Sequence, residues 1–174
     1  GTPYTPPQYN TVWQRSAAQN NLPSWFSTTH LERGLAYGSI PATGKNVDHL
    51  FVVSRNGGTF VKVLNALTGE DAGALDVTGI TGGTYTLNDV DVTSDGKIFA
   101  SNLVTNVSTS AFKVYMWNNE AAVPVNVVSY TGTLAARLGD KITVTGDYSA
   151  GTAVIYAASA TSGIQKIFKW TMSG

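Results

Sequence analysis

Apolar residues in this chain fall in short runs separated by turn-forming residues, which is the pattern of strands rather than helices. Residues 33–38 read as a short first strand, residues 40–47 as a loop with Pro41 and Gly44, and residues 48–55 (DHLFVVSR) as a strong strand followed by Asn56-Gly57-Gly58, a hairpin signal. Residues 59–67 (TFVKVLNAL) come next, ended by Thr68-Gly69, and residues 74–77 predict a weaker fourth strand. The same succession returns at 87–93, then Ser94-Asp95-Gly96, 97–104, 111–120 and 123–130. A third succession covers 141–146, 153–159 and 165–172, where no fourth strand follows. In residues 59–67, Lys62, Leu64 and Ala66 share one face and Val61 and Val63 the other. Strands apolar on both faces are covered on both faces.

Two strand types recur in register. Lys113-Val114-Tyr115-Met116-Trp117 returns as Lys166-Ile167-Phe168-Lys169-Trp170 and, more weakly, as Lys62-Val63-Leu64-Asn65-Ala66, at spacings of 51 and 53 residues. Leu50-Phe51-Val52-Val53-Ser54 likewise returns as Ile98-Phe99-Ala100-Ser101-Asn102 and Ile155-Tyr156-Ala157-Ala158-Ser159. Four-stranded repeats of this length, packed face to face, describe propeller blades. The fold expected is all-β: a partial β-propeller of about three four-stranded antiparallel blades, at about 32–80, 84–131 and 137–174. Residues 1–31 form an extended N-terminal arm with one strand at 11–16. Three of the chain's six prolines lie in residues 1–10, which excludes a helix there. Residues 22–26 (LPSWF) are apolar enough to plug onto the domain. The strand at 11–16 is the candidate for the fourth strand missing from the last unit, in its own chain or, by strand exchange, in a neighbour's.

Composition narrows the function classes. The formal net charge is zero and charged residues make up 13%, about half the usual share. No basic stripe suits a nucleic acid. No apolar run approaches the roughly 18 residues of a membrane span. The chain has no Cys, so disulfides and thiolate metal sites are excluded. The balance of Gly, Thr, Ser, Asn and Tyr over Lys and Glu is that of extracellular or cell-surface bacterial β proteins. Zero net charge also gives little repulsion between copies.

Candidate chemistry is sparse. Glu32 with Arg33, Asn88 with Asp89, and Arg137 with Asp140 sit at the starts of the three first strands, whose ends gather at one mouth of a propeller. They form either a ligand mouth or a salt-bridge network. Asp89, Asp91 and Asp95 have the alternation of a calcium loop, yet Ala100 stands where the twelfth-position Glu belongs, and Asp95-Gly96 reads as a turn. Trp117 and Trp170 recur in register and are assigned to packing between blades. Val12, Trp13 and Trp25 in the arm are candidates for assembly contacts, and Trp25, Tyr4 and Tyr9 for sugar stacking. His30 and His49 are isolated. No catalytic, metal or cofactor-binding residue is assigned, and no GxSxG, P-loop or GxGxxG sequence occurs.

Several segments resemble an uncharacterised family of secreted bacterial β-propeller proteins: Trp13, Leu22-Pro23-Ser24-Trp25, Glu32-Arg33-Gly34-Leu35-Ala36-Tyr37, Val53-Ser54-Arg55 and Gly82-Gly83-Thr84. Leu87-Asn88-Asp89-Val90, Asp95-Gly96, Ala100-Ser101-Asn102-Leu103, Phe112-Lys113-Val114-Tyr115, Pro124 and Arg137-Leu138-Gly139-Asp140 belong to the same resemblance. Members are typically longer, and this chain resembles their N-terminal part. The resemblance implies an extracellular or surface location and a binding or scaffold role, and it transfers no catalytic residue. The expected function is a non-catalytic module acting in contact with copies of itself or other surface proteins. The alternative is a polysaccharide-binding or accessory module of a glycan-degrading protein. An enzyme has the weakest support.

Overall fold

A computed structural model of the chain describes residues 1–173; Gly174, the last residue of the expected third unit, lies outside them. Eleven strands form three antiparallel sheets among the described residues, with no helix. The first sheet contains β1 (Glu32–Ile40), β2 (Val47–Ser54), β3 (Phe60–Asn65) and β4 (Asp71–Ala74), in chain order. The second contains β5 (Tyr85–Val92), β6 (Ile98–Leu103), β7 (Phe112–Trp117) and β8 (Val125–Tyr130). The third has only β9 (Ile142–Thr145), β10 (Val154–Ala158) and β11 (Ile167–Thr171). The arrangement is that of three successive blade-like sheets, with four, four and three strands among the described residues.

The recurring strands occupy equivalent places. In the second sheet Ile98 pairs with Trp117, Phe99 with Met116, Ala100 with Tyr115 and Ser101 with Val114. In the third, Ile155 pairs with Trp170, Tyr156 with Lys169, Ala157 with Phe168 and Ala158 with Ile167. The weaker first copy is slipped by two residues, so that Phe51 faces Val63. A slip of two leaves every side chain on its own face, because strand side chains alternate with period two.

Two apolar layers lie between the sheets. The first joins Phe51, Val53, Val61, Val63 and Leu75 to Ile98, Ala100, Tyr115 and Trp117. The second joins Phe99, Val114, Met116 and Phe112 to Ile142, Val144, Ile155 and Ala157, with Phe168 and Trp170 packed on it. Trp117 is fully buried, and its indole Nε1 donates to the Asp76 carbonyl at 2.7 Å, in the link between the first two sheets.

The inner strands β1, β5 and β9 lie side by side. Between β1 and β5 the backbones approach so closely that a Cβ on Gly34 would sit 2.6 Å from the Asp89 Cα. Glycine is required there by space rather than by backbone angle.

Two expectations need correction. Residues 11–16 form no strand and do not complete the third sheet. Trp13 Nε1 instead donates to the Ala66 carbonyl at 3.1 Å, and Arg15 donates to the Thr68 carbonyl at 2.7 and 3.0 Å. Side-chain bonds to the β3–β4 turn of the first sheet thus replace ladder pairing. The fourth strand of the first sheet is β4, not residues 74–77, because the tight turn at Gly69 returns the chain early. Leu75 then drops into the first apolar layer.

Trp117→Ala should lower stability by about 3–5 kcal/mol, the usual range for removing a buried aromatic from a filled layer. Denaturant unfolding checks this. Trp170→Ala should cost clearly less, since Trp170 is only partly buried against an incomplete sheet.

Candidate functional site

The inner strands start from the same end of the assembly, and a cavity of about 430 Å³ opens there. Arg33, Gly34 and Leu35 of β1, Tyr85, Asn88 and Asp89 of β5, and Arg137, Asp140 and Lys141 before β9 contribute to its wall, with Arg55 and Leu103. Five of the six residues expected at the mouth are therefore brought together. Glu32 is not among the lining residues. Its carboxylate accepts from Ser27 Oγ at 2.7 Å, Ser27 N at 3.2 Å and Ser54 Oγ at 3.0 Å, and so fastens the arm to the first sheet. Burial works against its ionisation, but those hydrogen bonds prevail and lower its pKa.

Most of the polar lining is mutually satisfied. Arg137 donates twice to Asp140, at 2.8 and 2.6 Å, and this pairing lowers the Asp140 pKa. Asp89 is buried and accepts from the Ile142 amide at 2.7 Å and from Lys141 Nζ at 3.0 Å. Asn88 donates to the Gly139 carbonyl at 2.7 Å and accepts from Arg55. Arg55 also lies over the Tyr85 ring, 3.6 Å from its centroid.

Reasoning from first strands alone missed Arg55, Tyr85 and Lys141. The signal for Arg55 was available: β2 runs antiparallel to β1, so the residue just after β2 returns to the mouth. Lys141 is the neighbour of Asp140 and Tyr85 opens β5, but nothing in their spacing singles them out.

The three aspartates of β5 and its turn hold the third sheet rather than a cation. Asp89 accepts from Ile142 N, Asp91 from Val144 N at 2.6 Å, and Asp95 from Tyr148 N at 2.9 Å and Ser149 N at 3.0 Å. Carboxylates thereby serve backbone donors of the neighbouring sheet that would otherwise lack partners. Among the described residues no group of three or more His, Cys, Asp or Glu could hold a metal ion. His49 Nδ1 lies 2.5 Å from Glu120 Oε1, a link between the first and second sheets.

Of the arm candidates, Val12 is solvent-exposed. The Trp13 ring lies against Gly69. The Trp25 carbonyl accepts from Asn56 at 2.8 Å, and Lys62 Nζ stands 5.8 Å from its ring. The four tryptophans are thus all engaged with sheets, while Tyr4 and Tyr9 are exposed.

Fold and site together define an all-β chain of three blade-like antiparallel sheets with a polar mouth at the starts of its inner strands. Residues 26–171 match DUF4623, a domain of unknown function, and the chain belongs to that family. It is similar to the crystal structure of a DUF4623 family protein from Bacteroides eggerthii DSM 20697, with a TM-score of 0.65 and 26% identity. That similarity covers 86% of this chain and 33% of the other, so the chain spans about a third of that relative's length. No curated protein matches it. Among the described residues no helix is long and apolar enough to cross a membrane.

Acid should loosen the joint between the second and third sheets. Asp95 is opposed in ionising by burial, but Thr93, Tyr148 and Ser149 outweigh that and hold it well below the usual carboxylate range. A depressed folded-state pKa contributes stability above the unfolded value, about 3.9, and loses it as pH falls toward the folded one. Unfolding midpoints should therefore be level near neutrality and decline below about pH 4. Asp95→Asn should lower stability at neutral pH and flatten that decline. An equally steep decline in the variant would assign it to other groups.

Proposed function

We propose that this chain is a non-catalytic β-propeller-type module of a secreted or cell-surface protein, and that it works by contact with a second copy of itself through the outward face of the third sheet. One observation carries the reading. That face presents Tyr156, Ile167 and Lys169, the register equivalents of Phe99, Val114 and Met116. Phe99, Val114 and Met116 are buried against the next sheet, whereas Ile167 is 83% exposed. The repeat has kept two of three apolar positions on a face that no other described sheet covers, which suits a seat for another sheet of the same kind.

The other end of the stack supports a head-to-tail joint. The outer face of the first sheet carries Leu35 and Tyr37, both exposed, beside buried Val52 and Leu64, with the arm fastened along that sheet. Such joints either close into a ring or continue as a filament. The chain's zero net charge offers little resistance to association. In longer family members, further sheets of the same chain would occupy the equivalent seat.

Light scattering across a concentration series tests this. The expected mass rises above the 18.4 kDa of one chain with concentration. Ile167→Asp, at an exposed position, should hold it at one chain without lowering the melting temperature. A single-chain mass at every concentration would overturn the proposal, as would an assembly indifferent to Ile167→Asp.

A further inference from the structure

The mouth cavity holds a charge imbalance that the rest of the chain does not explain. The sequence is neutral overall, with 11 cationic and 11 acidic side chains. The cavity is lined by four cationic groups, Arg33, Arg55, Arg137 and Lys141, and by two carboxylates, Asp89 and Asp140. Both carboxylates are engaged, Asp140 by Arg137 and Asp89 by Lys141 and the Ile142 amide. Arg33 and Arg55 form no ion pair among the described residues.

Arg55 is the more informative of the two. Stacking on Tyr85 and donation to Asn88 fix the plane of its guanidinium. Its Nε is buried and has no hydrogen-bond partner. Burial, followed by the nearby Arg33 charge, lowers its pKa, so two like charges share a partly desolvated site. A guanidinium held in one plane offers paired donors to a planar or tetrahedral oxyanion. The cavity volume lies in the range of small-ligand sites, roughly 300–1,000 Å³.

We propose that this cavity binds the oxyanion group of a small ligand, a carboxylate, sulfate or phosphate, between Arg33 and Arg55. Tyr85 and Asn88 act as positioning residues that hold the Arg55 fork. The anion neutralises the two unpaired guanidiniums and leaves the Arg137–Asp140 and Lys141–Asp89 pairs intact. This site is separate from the third-sheet face, and its test is read on the single chain at low concentration.

Isothermal titration with sodium sulfate, sodium phosphate and sodium glucuronate, at ionic strength held constant with chloride, tests the proposal. Saturable binding of at least one probe is expected. Glucuronate alone would point to a carboxylate on a sugar ring, and sulfate or phosphate alone to a tetrahedral group. Arg33→Gln and Arg55→Gln should each weaken the binding by at least about tenfold, the loss of one charge-assisted contact. Lys45→Gln, which removes a cation outside the cavity, should leave it unchanged. Arg33 is exposed, so its variant should remain folded, which unchanged circular dichroism would show. The proposal fails if none of the three probes binds saturably to the unaltered chain, or if Arg33→Gln leaves the binding as it was.

Discussion

The first two sheets of this chain carry apolar side chains on both faces, and burying those faces against a neighbouring sheet is what holds the stack together. That constraint accounts for the repeat and the stacking together. Phe51 and Val63 on one side and Trp117 and Tyr115 on the other fill the first layer; Phe99, Val114 and Met116 with Ile142, Val144 and Ile155 fill the second. The arm is pinned along the first sheet by Trp13, Arg15 and Trp25. The third sheet keeps Ile167 in the open.

Near the inner strands a different interaction takes over. Apolar packing sets how far apart the sheets lie but is non-directional. The carboxylates of Asp89, Asp91 and Asp95, each accepting from the third sheet or the turn beyond β9, fix how the third sheet is placed along β5. Between the first and second sheets the same task falls to steric fit. Gly34 meets the Asp89 backbone, and a Cβ on Gly38 would sit 2.9 Å from Val92 Cγ1. Asp89 therefore stands at both joints, under the glycine of one sheet and on the amide of the next.

The strands and their order were legible because period-two alternation and glycine turns are local signals. The repeat was legible because Lys113 to Trp117 and Lys166 to Trp170 recur with an intervening hairpin partner that recurs too. What escaped was set by contacts distant in sequence. Residues 11–16 have the composition of a strand, but the β3–β4 turn offers carbonyls at Ala66 and Thr68 that capture Trp13 and Arg15 by their side chains. Asp89 and Asp91 share one face of β5 and Asp95 lies in the turn after it, and nothing local reveals that backbone amides of residues 142, 144 and 148 stand opposite. The mouth was half legible: the first strands pointed to Arg33, Asn88, Asp89, Arg137 and Asp140, while Arg55 arrives from the far end of a second strand.

These distinctions separate two kinds of surface that charge alone would confuse. Arg137, a mouth candidate from the sequence, and Lys141, which was not one, each already face a carboxylate. Arg33 and Arg55 carry the same charge without that partner, and Arg55 is held by an aromatic ring and an amide rather than by an anion. In a chain with so few charges, a guanidinium oriented by neutral groups is costly to keep beside another cation. The arrangement makes physical sense when negative charge is supplied from outside, at the end of the stack where the inner strands of all three sheets begin.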